Sequence, residues 1–176
     1  NDTSTNPLEK AQQENPLMSL LRQPQIGGAI ASISISDTAQ FNRYLSLDAV
    51  RNVLPKNLKF LYGADNRSQN KDSRAIDIYA IKTVAGSDEP RLGGEHVVDA
   101  RQDIDPNGNP EISMTMDNVG AKIWARMTAE NVGKPIAIVL DNVVYSAPAP
   151  SEEISGGRSS ITGSFTIQEA QDLSNI

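Results

Sequence analysis

A chain of 176 residues with 38% apolar side chains is long enough for one ordinary domain, or for one domain built as two lobes. A net charge of −6 and a pI near 4.8 argue against nucleic acid, which calls for a basic face, and against charge-driven binding to an anionic membrane surface. No stretch approaches the ~18 apolar residues of a membrane span, no basic start leads into an apolar signal core, and the absence of cysteine leaves the redox compartment open. On these grounds alone the chain reads as a soluble piece.

The first 26 residues are weakly committed. Asn1 to Asn6 is polar and expected to fray. Leu8 and Ala11, then Leu17, Met18, Leu20 and Leu21, suggest two short helical pieces broken at Asn15-Pro16, because a residue before proline avoids the helical region. Leu17, Leu20 and Leu21 would form one face, either docked on the domain or free for a partner. Residues 27–84 then read as a first α+β lobe. Ala29 to Ile35 is a half-buried strand, and Asp37 is the expected N-cap of a helix carrying Phe41 and Leu45. Leu47, Val50 and Leu54 extend the apolar pattern until Pro55 ends it. Asn57 to Ala64 is a strand with Leu58, Phe60 and Tyr62 on one side. After the polar loop 65–73, Ala75 to Val84 is its partner strand.

Residues 85–94 form a connector rich in glycine, proline and charge. Gly86, Pro90, Gly93 and Gly94 are hinge candidates, with a plain surface loop as the alternative. Residues 95–176 read as a second lobe. A short strand Val97 to Arg101 and a loop Asp105 to Pro110 precede Ile112, Met114 and Met116, which alternate with period two. Asp117 caps a helix whose apolar face is Val119, Ile123 and Met127, with Gly120 and Trp124 alongside; Asn131 and Gly133 close it. Ile136 to Leu140 is the longest purely apolar run. With Val143 to Tyr145 it makes a hairpin across Asp141-Asn142, which predicts a type I′ turn. Ala147-Pro148-Ala149-Pro150 ends that second strand, because proline cannot donate to a ladder. Gly156-Gly157 and Thr162-Gly163 bracket a strand from Arg158 to Ile161. Ile167, Ala170 and Leu173 mark a last helix that stops without a cap, as at a cut end. The fold class is therefore α+β: two lobes of mixed or antiparallel sheet, each covered by helices, with a ferredoxin-like flavour.

Candidate chemistry is sparse. Asp103-Ile104-Asp105-Pro106-Asn107-Gly108 fits the first half of a calcium loop, but the twelfth position, where a bidentate glutamate belongs, is Met114. A hairpin loop is the better reading. His96 is the only histidine, so it cannot make a zinc site by itself, and no G-x-S-x-G elbow accompanies it. Neither phosphate-cradling glycine pattern occurs. Glu152-Glu153 reads as solvated charge, and Asp141 as a turn residue. No catalytic residue, metal or cofactor is expected. An extracytoplasmic small-molecule hydrolase on the same scaffold would instead place His96 and two carboxylates in a deep pocket.

Five ordered motifs in the second half carry a resemblance. They are Leu140-Asp141-Asn142-Val143, Ser146-Ala147-Pro148, Ile154-Ser155-Gly156-Gly157, Ile161-Thr162-Gly163-Ser164-Phe165 and Glu169-Ala170-Gln171-Asp172-Leu173. Upstream, Asn118-Val119-Gly120-Ala121 and the helix exit Thr128 to Gly133-Lys134 add to it. Over about residues 91 to 176 the chain resembles the SecD family, including fused SecDF proteins. Asn142 stands where that family usually has glycine. The resemblance implies structural roles for Gly133, Lys134, Leu140, Asp141, Ser146, Ala147, Pro148, Gly156, Gly157, Ile161, Thr162 and Gly163. It implies the periplasmic domain of a bacterial inner-membrane protein that assists the Sec translocon. Its partners would be unfolded preprotein and, through the full-length protein, a SecF-type half and the SecYEG channel. Membrane contact would come only through helices absent from this chain. Proton flow through that membrane part would drive domain movement, and the surface offered to preprotein would be an adaptable apolar cleft or an exposed strand edge.

Overall fold

Strand alternation, with a helix packed on the core of each unit, produces an α+β fold. The structure is a computed structural model and describes residues 15–24, 26–64, 74–84, 87 and 89–162. Contacts divide the chain into two units. One is Asn1–Lys82 with Asp141–Val144, and the other is Thr83–Leu140 with Tyr145–Ile176. The passage from the first to the second thus falls at Lys82, before the 85–94 connector, and the tip of the expected second-lobe hairpin belongs to the first unit.

The first unit contains β1 (Leu21–Arg22), β2 (Ala31–Ser34), α1 (Thr38–Leu45), α2 (Asp48–Arg51), β3 (Leu58–Gly63) and β4 (Ala75–Lys82). Its sheet runs β1-β2-β4-β3, antiparallel throughout, and β8 (Val143–Ser146) then pairs in parallel with β3 through Val143 and Val144. Alternation places Ile33, Ile76, Ile78, Phe60 and Tyr62 toward Phe41 and Leu45 of α1. Ile33 and Ile78 are completely buried. Phe41 and Phe60 meet edge to face, with ring centroids 6.1 Å apart.

Three local expectations for this unit change. The helical turn expected at Leu17–Leu21 is a three-residue 3-10 turn, Met18–Leu20, after which Leu21 enters the ladder opposite Ile33. A lone turn cannot propagate as a helix, whereas pairing with β2 satisfies the backbone at once. Leu17, Leu20 and Leu21 still pack on the core. Asp37 occupies the N-cap position but makes no side-chain cap, since the 3-10 turn Ile35–Asp37 runs directly into α1. The helix expected to continue to Leu54 breaks after Leu45. There the Ser46 hydroxyl donates to the Arg43 carbonyl, and Leu47 turns extended and stays exposed.

The second unit contains β5 (Val97–Ile104), β6 (Pro110–Met116), α3 (Asn118–Glu130), β7 (Ile138–Leu140) and β9 (Arg158–Thr162). Strands β5, β6 and β9 form an antiparallel sheet in that order. Ile112, Met114, Ala100 and Ile161 share one face with Ile138, and Met116 extends that face toward Trp124, Met127, Ile136 and Ile154. The opposite face is polar: Arg101 lies opposite Ser113 and Ser113 opposite Ser160, while Asp103 lies opposite Glu111 and Glu111 opposite Thr162.

Helix α3 buries Gly120, Trp124 and Thr128, one residue round from the expected Val119, Ile123 and Met127, and Val119 is exposed. Strand β5 runs three residues past Arg101. The Asp141-Asn142 turn has φ of 48° and 63°, as a type I′ hairpin requires. Its first strand is short because the Ile136 amide bonds instead to the Pro148 carbonyl, an acceptor whose own residue has no N–H to return. Within the apolar run Val139 points outward. The helix expected at 166–176 and the first helical piece before Asn15 lie outside the described residues.

Candidate functional site

The motif residues assemble a backbone frame. Gly133, with φ +72°, donates to the Pro150 carbonyl at 2.8 Å, and the Lys134 amide donates to the Asn131 carbonyl at 2.9 Å. With Ile136 bonded to Pro148, the helix exit and the Ser146-Ala147-Pro148 stretch lie side by side, the prolines acting as acceptors only. Thr128, fully buried, ties the next segment in: its hydroxyl donates to the Trp124 carbonyl and accepts from the Ile154 amide. Gly156 and Gly157 have φ of +92° and +71°. Gly157 lies against α3, where a Cβ would stand 2.9 Å from that of Ala121, and its carbonyl receives the Met116 amide at 2.7 Å. Leu140 ends β7, Ser146 ends β8 and Thr162 ends β9, while Asp141 forms the turn tip and Ile161 is a core residue. Pro90 and Gly93 precede a 3-10 turn, Gly94–His96; Gly86 and Gly163 lie outside the described residues.

Two polar clusters bring titratable side chains together. In the β5–β6 hairpin, Asp105 accepts from the amides of Asn107 and Asn109 and from the Asn109 side chain, which together hold its carboxyl below the usual range. Gly108 completes the turn with φ +87°. This is an Asx-built loop whose carboxylate oxygens serve its own backbone. The second cluster surrounds His96. Asp117 Oδ1 caps α3 by accepting from the amides of Val119 and Gly120, and its Oδ2 lies 3.0 Å from His96 Nδ1. Glu95 Oε1 is 3.9 Å from the other ring nitrogen. The hydrogen bond to Asp117 raises the His96 pKa, and the Gly120 amide, then His96, lower that of Asp117. The Asp117 amide also donates to the His96 carbonyl at 2.9 Å. Gly120 makes this approach feasible, because a Cβ there would stand 2.8 Å from His96 Cβ. Both oxygens of Asp117 are thus committed to holding the start of β5 against the start of α3. A general base needs a free lobe aimed at substrate.

What that anchor presents is the outer edge of β5. Among the described residues β5 pairs with β6 alone, so one side of an eight-residue strand is left open. Val98, at the register shift between Val97 and Asp99, is 62% exposed, and Ile104 at the far end is 60% exposed. Arg101 and Asp103 are also exposed, with Arg101 paired to Asp99 at 2.6 Å. A bulge and alternating charge are how sheet edges discourage indiscriminate pairing. The sequence reading ended this strand at Arg101 and so missed Ile104. The signal available was the seven-residue β6 run, which needs an equally long partner across a short hairpin.

The family model for the SecDF P1 head subdomain matches residues 70–176. The protein translocase subunit SecD of Rhodothermus marinus is 43% identical over 162 residues, covering 92% of this chain and 25% of that protein. SecD of Calditerrivibrio nitroreducens is 48% identical over 86 residues, covering 48% of this chain and 17% of that protein. A solved structure of SecDF, described as a membrane component that enhances protein export, has a TM-score of 0.47 at 24% identity, covering 99% of this chain and 69% of that one. The chain is a domain of the protein translocase subunit class. It belongs to the SecDF P1 head subdomain family, and the relationship reaches further toward the N-terminus than the motifs that first suggested it. The chain spans a quarter or less of the length of these SecD relatives. No helix among the described residues is long and apolar enough to cross a membrane.

Proposed function

We propose that this chain is the extracytoplasmic domain of a Sec translocon accessory subunit, and that it contacts emerging preprotein through the outer edge of β5. In this reading the full-length protein sits in a bacterial inner membrane. It reaches a SecF-type half and the SecYEG channel through parts outside this chain, and those parts couple export to the proton gradient. The domain contributes a contact surface and no bond chemistry.

The observation that carries the reading is the side of β5 left unpaired among the described residues, flanked by exposed Val98 and Ile104. An unfolded polypeptide has backbone donors and acceptors at every residue, and a free strand edge pairs with them with little regard to sequence. The bulge and the charged side chains keep such pairing weak, which suits a chain that must move on. The hydrolase alternative has less support, because Asp117, the nearest acid to His96, is occupied as a helix cap.

A photo-crosslinking residue placed singly at Val98, Arg101 and Ile104 of the full-length protein, during export of a stalled precursor, tests the proposal. Adducts to the precursor are expected at these positions and not at exposed Lys122 on α3. Adducts at Lys122 alone, or at none of the four, would remove β5 from the contact surface.

A further inference from the structure

We propose that the β5 edge selects among extended segments, favouring those that alternate apolar and polar side chains and that set a basic residue beside Asp103 and Glu111. This rests on the reading that the edge receives polypeptide, and it adds what kind of polypeptide.

The alternation follows from the two faces of the sheet. A strand added beside β5 continues both. On one face its side chains fall next to Ala100, Gln102 and Ile104, in line with Met114, Ile112 and Ile161 of the core. Ile104 is left more than half exposed there, so an apolar neighbour would remove its surface, and its own, from water. On the other face the new side chains fall next to Asp99, Arg101 and Asp103 and remain in solvent. A segment with period-two polarity satisfies both faces, whereas a block of apolar residues exposes half of them.

The preference for a basic residue follows from the charge layout of the polar face. At one end Arg101 pairs with Asp99, and Arg158 lies opposite Thr115. At the other end Asp103 stands directly opposite Glu111 in the ladder. Like charges in directly opposed positions repel. Asp103 accepts only the neighbouring Ile104 amide, Glu111 accepts the Ser160 hydroxyl, and neither carboxylate has a cationic partner among the described residues. The next strand position outward from Asp103 is the open edge. A lysine or arginine there would neutralise a repulsion already present in the sheet.

Synthetic peptides as long as β5, titrated into the isotope-labelled chain and followed by the amide shifts of Val97 to Ile104, test both halves. The first peptide alternates valine and threonine around a central lysine, the second carries glutamate in its place, and the third holds the residues of the first in apolar and polar blocks. The alternating lysine peptide is expected to bind about three- to fivefold more tightly than the glutamate one at low salt, with the ratio shrinking as salt rises. The blocked peptide should bind more weakly than the alternating one. Replacing both carboxylates, D103N with E111Q, keeps an acceptor at each position and should bring the lysine-to-glutamate ratio close to one, while Trp124 fluorescence reports that the unit remains folded. Equal binding of the lysine and glutamate peptides would overturn the charge preference and leave edge docking standing. Equal binding of the blocked and alternating peptides would overturn the alternation. If no peptide shifts the β5 amides, docking at the edge itself is wrong and the selection falls with it.

Discussion

In the first unit the tightest places are filled by large side chains. Ile33 and Ile78 are wholly buried on neighbouring strands, and Phe41 closes over them from α1. In the second unit Thr128 is wholly buried, and two further tight places are empty of side chain: Gly120 lies against His96, and Gly157 lies against Ala121 and the Met116 carbonyl. Both regions remove apolar area from water, and the second adds backbone segments brought closer than a Cβ permits. Apart from Asp141-Asn142-Val143, which belong to the first, the motifs that first tied the chain to its family lie in the second region. Close backbone approach tolerates fewer residue types than a greasy core, which accepts most side chains of similar volume.

The sharpest way to break this contrast is to cut one residue from each region. Ile78→Ala should cost about 2–5 kcal/mol through lost burial and the cavity left behind. Exchange at the amides of Ile30 and Ile35, which bond to the carbonyls of Ile78 and Arg74, would report it. Gly157→Ala should cost about 2–3 kcal/mol, from a strained φ and a collision that neither Ala121 nor the backbone can relieve by rotating away. Trp124, the single tryptophan, lies in the core beside Met116 and Ile136 and reports that loss by fluorescence during urea unfolding. Gly156→Ala supplies the control. Its φ is also positive, yet nothing lies within 4 Å of the added atom, so only the strain of about 1 kcal/mol should remain. If the two glycine substitutions cost the same, close approach is not what holds the second unit.

The two regions also differ in how far the sequence foretold them. Strands β3 and β4 were legible because Leu58, Phe60 and Tyr62, like Ile76, Ile78 and Ala80, recur with the period of two of a strand, although Leu61 and Tyr79 on the other face are buried as well. The Asp141-Asn142 turn was legible because only a few residue types tolerate two positive φ values in succession. The expected face of α3 includes Gly120, Trp124 and Met127, which do lie on the core, but it centres one position early: it takes in exposed Val119 and omits buried Thr128. Helical spacing alone admits Val119, Ile123, Met127 or Gly120, Trp124, Thr128 as the inward set. Hydrophobicity favoured the first, whereas the glycine needed against His96 and the threonine needed to hold Ile154 decide for the second. The open edge of β5 could not be read at all, because which strand lies outermost is set by pairings between residues distant in sequence.

The anchor that joins His96 to Asp117 has the smallest expected effect and the most specific signature. His96 is raised by its bond to Asp117, so its contribution is fully present below the unfolded histidine value of about 6.5 and is lost as pH rises through the higher folded value. Asp117 is lowered, chiefly by the Gly120 amide, so its contribution is present above about 3.9 and is lost as pH falls through the lower folded value. Together they place the greatest stability of the second unit between about pH 4 and 6.5, with a decline as pH rises through the raised histidine value. The urea midpoint read from Trp124 should follow that curve. H96Q keeps a neutral donor near Asp117 and should flatten the alkaline limb while leaving the acid limb in place. Because His96 is the only histidine, no other imidazole can produce that limb, and the terminal amine is common to both proteins. An alkaline slope unchanged in H96Q would mean that the start of β5 is held by the backbone bond from Asp117 to His96 and by the cap alone, with the imidazole a bystander.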